Sequence, residues 1–162
     1  MDFGRFIQYI ASGTAYTLGV TLIALPSGLL IGLVLAFVAV YGGKVPGKIM
    51  DFYSTILRGI PPIVLLFILY FVMSGAINLS PFWAGSISLG IISSAYQLEI
   101  FRGAILSVSG EQMMAARAVG MSKMQAIRYV VLPQMIRLAI PSWSNEAAIV
   151  IKDSSLVYAI GV

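Results

Sequence analysis

Gln97 and Glu99 stand in one long oily stretch of the chain, and Asn145, Glu146, Lys152 and Asp153 stand in or beside another, LPQMIRLAIPSWSNEAAIVI. Charge at membrane depth is costly and persists where it pairs, lines a wet path or touches a solute. Glu99 and Arg102 lie one helical turn apart, the spacing of a salt bridge, with a gating or solute contact as the other reading. Glu146 and Asp153 share a helix face that must turn from lipid. Tyr96 and Gln97 are polar for their depth and suit a cavity wall.

Hydrolytic chemistry is a poor fit for these residues. The chain has no cysteine and no histidine, which removes thiols, disulfides, soft metal ligands and an imidazole base. No phosphate loop or metal-ligand set accompanies the carboxylates. We therefore expect no catalytic residues, no metal, no cofactor and no enzyme activity. The net charge of +4 does not imply nucleic acid, because the basic residues flank oily segments.

Those segments define the solvent. The chain has 162 residues, 59% hydrophobic and 10% charged, whereas a soluble domain carries about a quarter charged residues. It reads as an all-α, polytopic membrane helical bundle forming a single domain over 1–162. Spans are expected at about 14–41, 61–75, 81–106 and 132–151, with a turn at 74–82 and a kink at Pro141. Pro61 and Pro81 suit helix starts. MDFGRFIQYI lacks the basic region and cleavage site of a secretory signal. Lys44, Lys48 and Arg58 follow the first span, and Arg102, Arg117, Lys123, Arg128 and Arg137 lie around the loop at 107–131. Both connections are thus cytoplasmic and the amino terminus outside. Ala24, Gly28, Gly32 and Ala36, and likewise Ser86, Gly90 and Ser94, form small-residue stripes suited to close helix contact.

The 107–131 loop is helix-prone rather than linker-like. Ser109-Gly110-Glu111-Gln112 and Ser122-Lys123-Met124-Gln125 both have the capping-box form, and Gly120 between them suits a left-handed helix end. The loop reads as a short helix at about 110–118, a turn at Gly120 and a second helix from about 123. Its methionines and alanines form an apolar patch, and two readings stand: a helix lying on the lipid surface, or one docking in a protein groove.

The run MMAARAVGMSKMQAIRYVVLPQ resembles the EAA loop of ABC importer permeases, in Ala115, Ala116, Gly120 and Leu132-Pro133. Met114 stands where that pattern has glutamate, and VVLP replaces its I-x-LP. RGIPPIVLLFILYF, AYQLEIFRGAILSV and NEAAIVIKDSSLVYAIGV are similar, in order and spacing, to segments of the polar amino acid subfamily. The resemblance implies a permease subunit in the prokaryotic inner membrane, with four of five spans present and the chain ending before the last. It implies partners: cytoplasmic ABC ATPase subunits, a second permease (identical or different), an extracytoplasmic binding protein and membrane lipid. Glu111, Met114, Ala115, Ala116, Arg117 and Gly120 would form the ATPase-docking coupling loop. Gln97, Glu99, Asn145, Glu146, Lys152 and Asp153 become substrate-pathway candidates, since a zwitterion needs partners of both signs. Pairing that only fastens helices together is the equal alternative for the charged members. Other classes consistent with the composition are a gradient-driven transporter or channel, and a membrane scaffold that transports nothing.

Overall fold

A computed structural model of the chain describes residues 3–73, 78–108 and 110–161. Helix α1 is Phe3–Tyr41, α2 is Lys44–Gly59, and α3 is Pro62–Phe67, continued by a π-helical turn over Ile68–Val72. Helix α4 is Pro81–Ser107, α5 is Gly110–Ala118, α6 is Lys123–Ala126 and α7 is Leu132–Asp153, followed by a 3-10 turn over Ser154–Ile160. The described residues are all-helical in their regular structure. The far end of the expected second span, residues 74–77 of the expected turn, and the Ser109 cap lie outside the described residues.

Helices α1, α4 and α7 form the core, and small residues decide how close they come. Ala24, Gly28, Gly32 and Ala36 are all buried, as are Ser86, Gly90 and Ser94 on the facing helix. A Cβ on Gly32 would lie 2.8 Å from Gln97 Cβ, 2.8 Å from the Ser94 carbonyl and 2.9 Å from the Leu98 amide nitrogen. On Gly28 it would meet Gln97 Nε2 at 2.9 Å, and on Gly90 it would meet Ser27 Oγ at 2.8 Å. Both small-residue stripes therefore serve one seam. Gly19 lies against Phe82, Gly28 against Ser93 and Gly32 against Leu98, so the two helices run in step in the same direction. Helix α7 runs the opposite way: Trp143 meets Gln97, Glu146 meets Ser93, and beyond its end Val157 packs on Gly85.

Parallel α1 and α4 require the chain to return between them. The expected helix after Pro61 is present, but the preceding basic connection is itself a helix, α2, joined to α3 through a 94° bend. Pro61 and Pro62 explain the break. Ile60, placed before a proline, is held in extended backbone, and Pro62 starts the next helix where its missing N–H costs nothing. Asp51 on α2 pairs with Arg102 near the end of α4, while Tyr70 packs on the same apolar cluster as Leu79 and Phe82, near the beginning of α4. Together the bent pair carries the chain from one end of the bundle to the other.

Helix α1 alone among the described residues is both long and apolar enough to cross a bilayer by itself; α2 with α3 qualifies only as a pair. Helix α1 begins at Phe3, about three turns ahead of the expected start at 14, because Phe6, Ile7 and Ile10 extend the oily run. Helix α4 has 27 residues, ample for about 30 Å of hydrocarbon at ~1.5 Å per residue. Ser86, Ser88, Ser93, Ser94 and Gln97 lower its mean hydropathy, and they are buried in helix contacts rather than shown to lipid. Helix α7 runs on through Pro141, and the irregularity falls earlier, as a π turn over Ile127–Val131 just before Pro133. Pro133 cannot donate to the carbonyl a turn behind it, which favours an irregular turn there. Beside it Gln134 Nε2 donates to the Val130 carbonyl at 2.9 Å.

Gly32→Val should force α1 and α4 apart and lower stability by ~2 kcal/mol or more, read as a fall in melting temperature in detergent. Gly13→Ala, which meets open space, should leave that temperature unchanged.

Candidate functional site

The core is apolar at both ends and polar at its waist. One cluster contains Val20, Ala24, Leu66, Leu89 and Val150, the other Ala36, Phe101, Ile105, Met135 and Ala139. Between them Gln97 makes a three-helix junction. Its Nε2 donates to the Leu25 carbonyl at 3.2 Å and to Ser93 Oγ at 3.0 Å, and its Oε1 accepts from Trp143 Nε1 at 2.9 Å. Ser93 Oγ donates in turn to Glu146 Oε1 at 2.8 Å. Gln97 is fully buried and Glu146 only 4% exposed. Thus two pathway candidates are brought together, in a chain of bonds that ties α1, α4 and α7.

The other candidates lie elsewhere. Glu99 meets Arg102 at 3.8 Å across one turn, the pairing its spacing suggests. Arg102 also pairs with Asp51, which fastens α2 to α4. Tyr53 Oη and Ser94 Oγ share a 2.6 Å hydrogen bond, and the Arg58 guanidinium sits 5.4 Å from the Tyr96 ring centre. Asp153 is half-buried on the core side of α7, while Asn145 and Lys152 are exposed.

That difference follows a pattern around α7. Met135, Ala139, Glu146 and Val150 face the core. At about 3.6 residues per turn, Arg137, Ser144 and Lys152 fall on the opposite side, with Asn145 at its edge. All four are exposed. Exposed isoleucines and Leu138 flank this polar band. A helix buried on one side and polar on the other, at membrane depth, does not present that polar side to hydrocarbon. Next to the core, an apolar hollow of about 280 Å³ lies among Leu29, Leu33, Phe101, Met135, Ala139 and Trp143.

The 110–131 loop folds as its caps specify. Helix α5 ends in paired bonds from the Met121 amide to the Ala116 carbonyl, 3.1 Å, and from the Gly120 amide to the Arg117 carbonyl, 3.1 Å. Gly120 has φ 87°, the left-handed geometry such a cap requires. Ser122 and Gln125 complete a reciprocal capping box, and the Lys123 ammonium lies 5.3 Å from the centre of the Tyr41 ring. Ala116 and Ala126 are buried against the bundle. Glu111, Met114, Ala115, Arg117 and Gly120 are on the outer face with Val119, which is 77% exposed, and Met124.

Sequence reasoning missed Ser93 and Trp143 as partners of Gln97, Asp51 as a partner of Arg102, and Arg137 and Ser144 as members of the helix side that carries Lys152. Trp143 carries no sequence signal for its bond. The α7 band was readable as polar residues recurring every third or fourth position.

A helical bundle with a polar core waist, a polar outer band on one helix and a capped basic loop is a membrane transport subunit. The chain belongs to the family described as the binding-protein-dependent transport system inner membrane component, matched over residues 28–162. It is 36% identical over 159 residues to the glutamine transport system permease protein GlnP of Escherichia coli K12, covering 96% of this chain and 73% of that one. It is 32% identical over 169 residues to the histidine/lysine/arginine/ornithine permease protein HisQ of Salmonella typhimurium, covering 97% and 74%. A crystal structure of an amino acid ABC transporter with histidines superposes with a TM-score of 0.85 at 36% identity, over all of this chain and 78% of the other. The MetNI methionine ABC transporter matches with a TM-score of 0.84 at 20% identity, over 99% of this chain and 78% of that one, a likeness of fold.

Gln97→Leu should strand the Trp143 N–H, and cost ~1–3 kcal/mol. Arg102→Met, which breaks a half-exposed ion pair, should cost about 1 kcal/mol or less. Thermal unfolding of both variants in the same detergent checks the order.

Proposed function

We propose that this chain is the permease subunit of an ATP-driven importer for polar amino acids. Solute passes along the outward polar band of α7, which a second permease subunit closes off from lipid. An extracytoplasmic binding protein delivers the solute, and the outer face of the 110–131 loop seats a cytoplasmic ATPase. The band on α7 carries the reading. It is a polar, exposed face on a helix whose other side is packed in the core, so it suits a wet path. The names of GlnP and HisQ, and of the solved amino acid transporter, support the substrate class.

The pathway candidates then divide into groups. Asn145 and Lys152 border the path, whereas Gln97 and Glu146 hold the helices that form its wall. Glu99 belongs to the inner-end ion pair, and Asp153 faces the core. In the loop, Met114, Ala115, Val119 and Gly120 meet the ATPase, with Glu111 and Arg117 at the edges. Ala116 supports them from beneath. Methionines suit this contact because they adapt to an irregular groove. With no nucleotide-binding loop in the chain, ATP hydrolysis belongs to the partner.

Cysteine crosslinking and coupled transport test the docking. A cysteine at Met114 or Val119 should crosslink to the ATPase in the intact complex, and one at Ala116 should not. Gly120→Val forces a β-branched residue into left-handed backbone. It should abolish ATP-dependent uptake while membrane insertion stays intact. Uptake that persists without any ATPase would favour a gradient-driven carrier. Recruitment of the ATPase without uptake of any amino acid would favour a scaffold.

A further inference from the structure

Helix α2 has three distinct sides. Pro46, Gly47, Met50, Tyr53, Ser54 and Leu57 are its buried or half-buried residues, turned to the bundle. Val45, Ile49, Phe52 and Ile56 form a second side at helical spacing, wholly apolar and 47–70% exposed. Lys44 and Lys48, one turn apart and both exposed, edge that stripe at its start.

The helix is not free to roll and hide the stripe. Only Gly42 and Gly43 separate it from α1, and Gly43 turns the chain with φ 95°. On the side away from the stripe, Asp51 pairs with Arg102, and Tyr53 Oη shares a 2.6 Å hydrogen bond with Ser94 Oγ.

Its depth is fixed as well. Lys44 follows closely on Tyr41, whose ring meets Lys123 of the basic loop, the side that charge places inward. At the far end Arg58 lies over Tyr96, about 16 Å short of the inner end of α4 by helical rise. Helix α2 thus starts at the inner surface and slants into the inner leaflet. Its lysines stand at headgroup level and its stripe among acyl chains, the arrangement of an interfacial amphipathic helix.

Two ammoniums one turn apart repel each other, and neither pairs with a carboxylate among the described residues. A phosphate between them would relieve that repulsion. The stripe from Val45 to Ile56 is about 16 Å long by helical rise, close to the depth of one leaflet in a hydrocarbon core of about 30 Å. A zwitterionic headgroup brings its own cation toward the lysines, whereas an anionic one does not.

We propose that α2 binds an anionic phospholipid of the inner leaflet, with its phosphate between Lys44 and Lys48 and an acyl chain along Val45, Ile49, Phe52 and Ile56. The site does not depend on which solute is carried.

The chain has no cysteine, so Phe52→Cys takes a single bimane label on the stripe. The labelled chain is assembled into the complete transporter, with partner subunits freed of cysteine, in nanodiscs. Quenching is titrated with brominated phosphatidylglycerol and brominated phosphatidylcholine. The glycerol lipid should quench at about tenfold lower mole fraction, the scale of two lysine contacts. A label at Leu22→Cys, exposed on α1, should be quenched equally by both. Lys44→Gln with Lys48→Gln should abolish the preference at position 52, and Lys44→Arg with Lys48→Arg should keep it. No quenching at position 52 by either lipid means that protein covers the stripe, and overturns the proposal. Equal quenching there by both lipids, or the same preference at Leu22→Cys, overturns it too. These results need no lysine variant, so they decide even where the double variant fails to assemble. A preference that survives loss of both lysines, in a transporter that keeps its ATPase subunits, is equally fatal.

Discussion

The close approach of α1 and α4 is the constraint on which the other contacts rest. Lipid offers helices no hydrophobic reason to associate, so contact must come from packing and from hydrogen bonds that hydrocarbon does not offer. Gly28 and Gly32 allow the backbone of one helix to reach the side chains and backbone of the other. Only at that separation does Gln97 span from Ser93 on its own helix to the Leu25 carbonyl on α1. A larger residue at Gly28 would occupy the space of the amide itself. The polar waist is thus a consequence of glycine, and α7 is secured by it through Trp143 and Glu146.

The same waist explains how one helix carries polar groups on two opposite sides. Glu146 is tolerated on the inner side because Ser93 satisfies it, and because apolar clusters above and below keep the junction shielded. On the outer side Ser144 Oγ turns back to the Ile140 carbonyl at 2.8 Å, and Arg137 and Lys152 are exposed. The proposed wet seam with another subunit would resolve that asymmetry. Sequence alone placed Glu146 and Lys152 in one charge cluster, and the helix wheel separates them.

Much of this was legible in advance, and the misses have physical causes. The small-residue stripes, the limits of α5, the left-handed Gly120 and the Ser122 box follow from local steric and hydrogen-bonding rules, which tertiary context rarely overrides. Helix α2 was missed because charge marked Lys44–Arg58 as a connection, while its apolar residues Val45, Ile49, Phe52 and Ile56 recur at helical spacing. The π turn is not legible in the expected start of the span at 132, because helical backbone runs unbroken from Lys123 through Pro133. The inward burial of Ala116 depends on the packing of α5 against α6 and the π turn over Ile127–Val131, and no local pattern encodes it.

The continuity of helical backbone from Lys123 through the π turn to Asp153 has a mechanical consequence. At ~1.5 Å per residue this rod is on the order of 45 Å long, and Trp143 and Glu146 grip α4 about two-thirds of the way along it. The arm on the Ser122 side is about 32 Å and the arm toward Asp153 about 13 Å by the same rise. A tilt of about 10° about that grip moves the first tip by roughly 6 Å and the second by roughly 2 Å in the opposite sense. The protein thus contains a lever that turns a push at the Ser122 end into a smaller, opposite swing at Lys152.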